Sequence, residues 1–279
     1  ELWYRVDWES RYSELFEYIS AHDIAAGLHF WGLLDGGLQP NIAYPDEKIW
    51  KPTVALMRQN IDVAAKHRTN YVNIHVGNNA IDAMNLDEHW LRTIPDSIVE
   101  MARSEETAEK NIVELDAYAK NLGVRLIVET IPSHEAEHWD DDTGRLHPHD
   151  GHALSNQFLE RLGREHGILI NNDISHTSSE LVTDDRDALW KYLLERTTAL
   201  APTTALVHCN TLLPPFNGTD SHNGILDDDF AQNVLPSREQ LRELLHVLAA
   251  AEHDIWIINE PKQKHIENYR ALCDLLASL

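Results

Sequence analysis

The chain has 279 residues, of which 43% are hydrophobic, and its 46 acidic against 23 Lys and Arg residues give a formal net charge of −23. This length suits one α/β barrel, and no apolar run reaches the roughly 18 to 20 residues of a membrane-spanning helix. An acidic surface repels polyanions, so nucleic acid would need a local basic patch, and no basic cluster is evident.

Short apolar runs recur along the chain, and six of them close on a His, Asp or Glu. Helix-length segments lie between them, with apolar residues three and four positions apart, as in Val54, Met57 and Ile61. This alternation predicts a parallel sheet. The strand-like runs are 1–5, 25–29, 71–75, 125–129, 167–173, 205–208 and 255–260.

Local signals place some helix ends. Lys51 and Pro52 predict a first helical turn, and Asn121-Leu-Gly123 predicts a helix C-terminus before the strand at 125. Pro236 followed by Ser237 predicts the start of an amphipathic helix that contains Leu241, Leu244, Leu245 and Leu248.

Seven strand candidates predict a (β/α)8 barrel that forms one domain over residues 1–279. The sequence begins at Glu1 rather than Met, so we expect the first strand and helix of the barrel to lie upstream. The alternative is an open doubly wound sheet. It is disfavoured because only a barrel brings six successive strand ends to one mouth.

Two further features bear on location and loops. The only two cysteines, Cys209 and Cys273, lie far apart in the sequence and do not form a disulfide framework of the secreted type. No pattern typical of a secretion signal is evident, so we expect a reducing cytoplasm. The polar, His-rich and Asp-rich segment at 133–151 predicts a long loop that lies over the barrel mouth or in solvent.

The residues that close the runs are of metal-ligand type. Two patterns with fixed spacing, Asp173-x-x-His176 and Asp220-x-His222, stand among isolated His and Glu residues. Mixed imidazole and carboxylate ligands suit zinc or manganese. The sequence therefore predicts a polymetal site formed by His29, His75, Glu129, Asp173, His176, His208, Asp220, His222 and Glu260.

The order and spacing of these nine residues resemble endonuclease IV, the zinc-dependent apurinic/apyrimidinic endonuclease family, within the xylose isomerase-like TIM barrels. The resemblance runs from about residue 27 to residue 260. In that family the ligands follow the order His, His, Glu, Asp-x-x-His, His, Asp-x-His, Glu, as they do here. The stretches at 71–77 and 218–224 also resemble the family's sequence around its ligands.

The resemblance implies up to three zinc ions. The first would bind His29, His75 and Glu129, and the second would bind Glu129, Asp173, His208 and Glu260. The third would bind His176, Asp220 and His222. It further implies a hydrolase with Glu129, Asp173 and Glu260 as catalytic residues, in which a metal-bound hydroxide attacks a phosphodiester, with abasic-site DNA as the expected substrate. Manganese could replace zinc.

The chain departs from the family around the site. Longer segments separate His75 from Glu129 and Glu129 from Asp173, and the family's DNA-inserting side chains have no clear counterparts. The substrate-binding candidates are Arg5, Trp31 and Asn210.

Two other functions stay open, as does the oligomeric state. A sugar isomerase or epimerase of the same superfamily would need one divalent ion on Glu129, Asp173, His208 and Glu260, with the two Glu residues moving a proton. That function leaves Asp220 and His222 without a role. The third possibility is a non-catalytic binding protein stabilised by metal.

Overall fold

The computed structural model describes residues 1–133 and 152–279. Seven parallel strands form one sheet, and two further strands form an antiparallel hairpin. The strands are β1 (Leu2–Arg5), β2 (Gly27–Trp31), β3 (Tyr71–His75), β4 (Asp82–Asn85), β5 (Trp90–Thr93), β6 (Arg125–Glu129), β7 (Leu169–Asp173), β8 (Thr204–Cys209) and β9 (Trp256–Asn259).

The strand order confirms the barrel class. Neighbours in the large sheet run β1-β2-β3-β6-β7-β8-β9, which is their order along the chain. A doubly wound sheet reverses its strand order at a switch point, and this sheet does not. All seven strand candidates are confirmed. Two boundary predictions were wrong by two residues. Gly167 ends a helix with φ +66°, so that strand starts only at Leu169. The run predicted at 25–29 corresponds to β2 at Gly27–Trp31, which continues beyond His29.

Helices connect the strands and pack their apolar faces on the outside of the sheet. Buried side chains such as Ile61, Leu115 and Leu159 belong to one large hydrophobic cluster that also contains the outward-facing strand residues. The helices are α1 (Ser13–Ala21), α2 (Glu47–His67), α3 (Met101–Asn121), α4 (Asn156–His166), α5 (Ile174–Ser179), α6 (Arg186–Leu200), α7 (Asp227–Phe230), α8 (Arg238–Ala249) and α9 (His265–Ala277).

Two of the three predicted helix ends are confirmed. Gly123 follows α3 with φ +73°, and Ser237 caps α8 by accepting a hydrogen bond from the Gln240 backbone N–H. The prediction for Pro52 was wrong, because α2 begins at Glu47 and Pro52 lies in its second turn. The actual start signal is Asp46, whose carboxylate accepts a hydrogen bond from the Lys48 N–H at 2.9 Å.

The longer segment after β3 has its own structure. It contains the β4–β5 hairpin, which packs on the loop after β2 through a bridge between Leu38 and Ala83 and a backbone hydrogen bond from Gln39 to Asp82. The predicted loop at 133–151 lies outside the described residues except for Ser133. Within the described ranges, no helix has the length and apolar character needed to cross a bilayer.

Candidate metal centre

The parallel register of the strands brings the predicted ligands together. His75 at the end of β3 pairs in register with Glu129 at the end of β6, and Asp173 on β7 pairs with His208 on β8. Side chains in register on parallel strands point to the same side of the sheet. His29 lies two residues before the end of β2, and Glu260 directly follows β9.

Glu129 lies at the centre of the first ligand set, with its side chain only 1% exposed. Its Oε2 is 3.1 Å from His29 Nε2, and its Oε1 is 3.9 Å from His75 Nε2. The same Oε1 is 3.3 Å from His208 Nδ1. Glu129 thus contacts histidines of two predicted ligand sets, as a bridging ligand would.

The second set joins Glu129 to the ends of the last three strands. His208 Nδ1 is 2.7 Å from Glu260 Oε2 and 3.6 Å from Asp173 Oδ2. One potential ligand atom from each of Glu129, Asp173, His208 and Glu260 lies within 4.8 Å of the others. His29, His208 and Glu260 form another such group.

The third set lies on α5 and on the loop after β8. His222 Nε2 is 3.1 Å from His176 Nε2 and 3.3 Å from Asp220 Oδ2, and His176 Nε2 is 3.8 Å from Asp220 Oδ2. Asp173 also belongs to this region, because its Oδ2 is 3.4 Å from His222 Nε2. The structure therefore brings together all nine residues that the sequence singled out.

The loop that carries Asp220 and His222 is held by its own hydrogen bonds. Asp220 Oδ1 accepts hydrogen bonds from Ser175 Oγ at 2.9 Å and from the His222 backbone N–H at 3.1 Å. His222 has φ +37°, in the left-handed region that non-glycine residues rarely adopt. The backbone N–H of Lys262 donates to the His222 carbonyl at 2.9 Å. These contacts turn the imidazole towards His176.

Supporting hydrogen bonds select one ring nitrogen in each of two histidines. His208 Nε2–H donates to Glu1 Oε2 at 2.6 Å, so Nδ1 is the nitrogen that faces the carboxylates. His176 Nδ1–H donates to the Thr130 carbonyl at 2.8 Å, so Nε2 is the nitrogen that faces His222. Such bonds fix the tautomer and the ring orientation of a metal-binding imidazole.

The central carboxylates are supported in the same way. Asn73 Nδ2 donates to Glu129 Oε2 at 2.5 Å. Asn210 Nδ2 donates to Asp173 Oδ2 at 2.8 Å, and Asn210 Oδ1 accepts from the Ser175 N–H. Asn210 is fully buried, and both ends of its amide are bonded within the protein.

The donor set passes a direct test of its fit to a cation. His208 Nδ1 and Glu260 Oε2 are both buried and lack a hydrogen-bond partner although they are only 2.7 Å apart. Because Nε2–H donates to Glu1, loss of the Nδ1 proton leaves two lone pairs that face each other across this distance. A divalent cation satisfies both, so these residues fit a metal ion.

Neighbouring charged groups in the site shift one another's pKa values. Burial raises the pKa of Glu129, but His208 and His29 outweigh it and hold that pKa well below the usual value near 4.5. For Asp220, burial is likewise outweighed, chiefly by His222, and the pKa falls to about 2. Burial opposes protonation of His222, yet Asp220 and Asp173 raise its pKa to about 9.

His75 behaves differently from the other ligand histidines. Burial is the main cause that lowers its pKa to about 3, and the neighbouring histidines add to the effect. A neutral imidazole is the form that binds metal. His75 is therefore ready to bind without releasing a proton.

An arginine between two tryptophans lies beside the centre. Arg5 ends β1 in register with Trp31, two residues beyond His29 on β2. Its guanidinium carbon is 4.7 Å from the Trp31 ring centroid and 4.4 Å from that of Trp8. The guanidinium also makes two hydrogen bonds to Asp7, at 2.7 and 2.5 Å.

Sequence comparisons find no matching family model and no matching curated protein. Solved structures do match over almost the whole chain. A D-tagatose 3-epimerase-like protein has a TM-score of 0.62 at 16% identity, covering 95% of this chain and 81% of its own. The chain has a TIM barrel fold.

Two other matches have the same architecture. Endonuclease IV from Thermus thermophilus has a TM-score of 0.55 at 17% identity, with 95% of this chain and 81% of that one covered. A xylose isomerase-like TIM barrel protein from Mycobacterium smegmatis, solved with magnesium, has a TM-score of 0.54 at 13% identity, with coverages of 96% and 78%. At these identities the likeness establishes the fold and leaves the reaction open.

Sequence reasoning missed the supporting residues Glu1, Asn73 and Thr130. A signal was present for Asn73, which interrupts the apolar β3 run two residues before His75, on the same side of the strand. Glu1 directly precedes β1, and no local pattern links it to His208, 207 residues later. Thr130 acts through its backbone carbonyl, which no side-chain pattern reveals.

Proposed function

We propose that the protein is a metal-dependent phosphoester hydrolase that binds up to three divalent ions, zinc or manganese. The observation that carries this proposal is the presence of two further ligand sets beside the four residues Glu129, Asp173, His208 and Glu260. A single-ion enzyme has no use for a second cluster formed by His176, Asp220 and His222, whose ligand atoms are 3.1 to 3.8 Å apart.

Bound divalent ions would supply Lewis acidity and a water of lowered pKa. The residues of the chain would hold the reactants. Glu129 joins two ligand sets and so fixes their spacing, while Asp173 and Glu260 complete the second set on one side of His208. We assign Glu129, Asp173 and Glu260 as the residues on which activity depends most.

Arg5 and Trp31 are the proposed substrate contacts. The guanidinium of Arg5 contacts the Trp8 and Trp31 rings and forms two hydrogen bonds to the exposed carboxylate of Asp7. A phosphate group offers the same pair of oxygen acceptors. An anionic substrate could therefore replace Asp7. Asn210 supports Asp173 instead of facing substrate.

We infer a phosphodiester substrate, with abasic-site duplex DNA as the first to be tried and a small phosphodiester as the second. The net charge of −23 opposes binding of a polyanion, so the attraction must come from the ions and from residues such as Arg5. A reducing cytoplasm is proposed as the location, because the described Cys209 and Cys273 are both free.

A side-by-side assay tests the proposal. Abasic duplex, a generic phosphodiester and a panel of ketoses and aldoses are each incubated with zinc and with manganese. We expect hydrolysis of a phosphodiester with a Michaelis constant that rises with salt, because phosphate binding releases counterions. Circular dichroism at each salt concentration checks that the fold is intact. Salt-insensitive turnover of an uncharged sugar would overturn the proposal.

A sugar epimerase is the second candidate. Glu129, Asp173, His208 and Glu260 form a complete single-ion set by themselves, with two Glu residues available for proton transfer. The matched D-tagatose 3-epimerase-like protein is consistent with this function. Metal analysis of protein purified without chelator separates the two: one equivalent of metal favours the epimerase, and two or three favour the hydrolase.

A further inference from the structure

We propose that Glu1 is a positioning residue that sets His208 as a metal ligand and adds negative charge to the centre. The inference rests on the proposed metal function. Glu1 Oε2 is 2.6 Å from His208 Nε2, across 207 residues of sequence, and the Glu1 side chain is only 5% exposed. No sequence pattern or family match assigns this residue a role.

The contact controls which nitrogen of His208 faces the other ligands. While Nε2–H donates to Glu1, Nδ1 faces Glu260 at 2.7 Å, Glu129 at 3.3 Å and Asp173 at 3.6 Å, and a metal ion that displaces any proton on Nδ1 finds its lone pair there. Without an acceptor at Nε2, the neutral ring is free to place its proton on Nδ1. That proton would then point at the three carboxylates and block metal binding, since a ligand nitrogen needs its lone pair.

Charge gives Glu1 a second effect. The other supporting side chains described above, Asn73 and Asn210, are neutral, and Thr130 contributes a backbone carbonyl. The nine ligands include four carboxylates, and Glu1 adds a fifth negative group inside the barrel. Its Oε1 is buried without a hydrogen-bond partner, an arrangement that a nearby cation stabilises. Glu1 should therefore raise the affinity for metal at the subsite that contains His208.

Two substitutions separate the two effects. Glu1→Gln keeps an oxygen acceptor for His208 but removes the charge, whereas Glu1→Leu removes both. Zinc affinity is measured by competition with a chromophoric chelator, and the His208 tautomer is read from ¹⁵N chemical shifts of metal-free, histidine-labelled protein at a pH high enough for the ring to be neutral. The matched control is Glu14→Gln, an exposed residue on α1. Circular dichroism confirms the fold of each variant.

We expect Glu1→Leu to weaken zinc binding by about 10- to 100-fold and to shift the His208 signals away from the Nε2-protonated form. Glu1→Gln should retain the tautomer and weaken zinc binding by about threefold or more, as loss of charge requires. If Glu1→Leu does not fold, the Gln variant decides, since wild-type affinity in that variant overturns the charge effect. An unchanged tautomer in folded Glu1→Leu overturns positioning. Neither readout uses a substrate, so failure to find hydrolysis leaves this test intact.

Discussion

Replacing Glu129 by Gln removes the carboxylate that joins two ligand sets. Its Oε2 lies 3.1 Å from His29 Nε2, and its Oε1 lies 3.3 Å from Nδ1 of both His208 and His176. Loss of a direct ligand must cost more than the 10- to 100-fold typical of a supporting contact. We expect about 1,000-fold weaker metal binding at both subsites, which is about 4 kcal/mol.

The metal-free protein should also lose stability. Glu129 is buried among histidines, and breaking a buried ion pair costs about 3 to 5 kcal/mol. Because its pKa is held well below 4.5, the stability that Glu129 contributes is present above that pH and is lost as the pH falls. The difference in free energy of unfolding between wild type and Glu129→Gln should therefore shrink in acid.

The assay is metal content after chelator treatment and dialysis against zinc, together with urea unfolding of the metal-free proteins. Glu17→Gln, an exposed substitution on α1, is the control and should match wild type in both measurements. The subsite that contains His176 and His222 should still bind metal in Glu129→Gln, at lower affinity. Wild-type metal content and affinity at every subsite would refute the bridging assignment.

Three further predictions address protons, support and substrate. Because the pKa of His222 is about 9 in the metal-free site, zinc affinity at that subsite should fall about tenfold per pH unit below 9, as competition titrations would reveal. Protonated His222 also stabilises the metal-free protein. This contribution is full below pH 6.5 and disappears as the pH rises through 9, which thermal melts at pH 6 to 10 would test. Asn210→Ala should weaken zinc binding by about 10- to 100-fold, and a change confined to the Michaelis constant would instead mark Asn210 as a substrate contact. Asp7→Asn should free the Arg5 guanidinium and lower the Michaelis constant for a phosphodiester, while an unchanged constant would exclude Arg5 as an anion contact.

The sequence predicted the strands and the nine ligands because both follow local rules. A run such as Tyr71–His75 is apolar except where it points into the barrel, and parallel strands carry their last residues to one edge. The hairpin at β4 and β5 was not predicted, because its short strands lack a strong alternation. Glu1 was missed because its contact with His208 depends on how the barrel curves, which no local pattern encodes.

The backbone conformation at His222 links the subsite that contains this residue to the order of its loop. A non-glycine residue at φ +37° costs on the order of 1 to 3 kcal/mol, and the loop must hold that conformation before the imidazole can bind an ion. If a fraction of the molecules has this loop in another conformation, the apparent metal affinity of the subsite falls in proportion to the fraction that remains competent to bind. His29, His75 and His208 stand on strands and carry no such penalty. When the metal-loaded protein is treated with a chelator, we expect the subsite that contains His222 to lose its metal first.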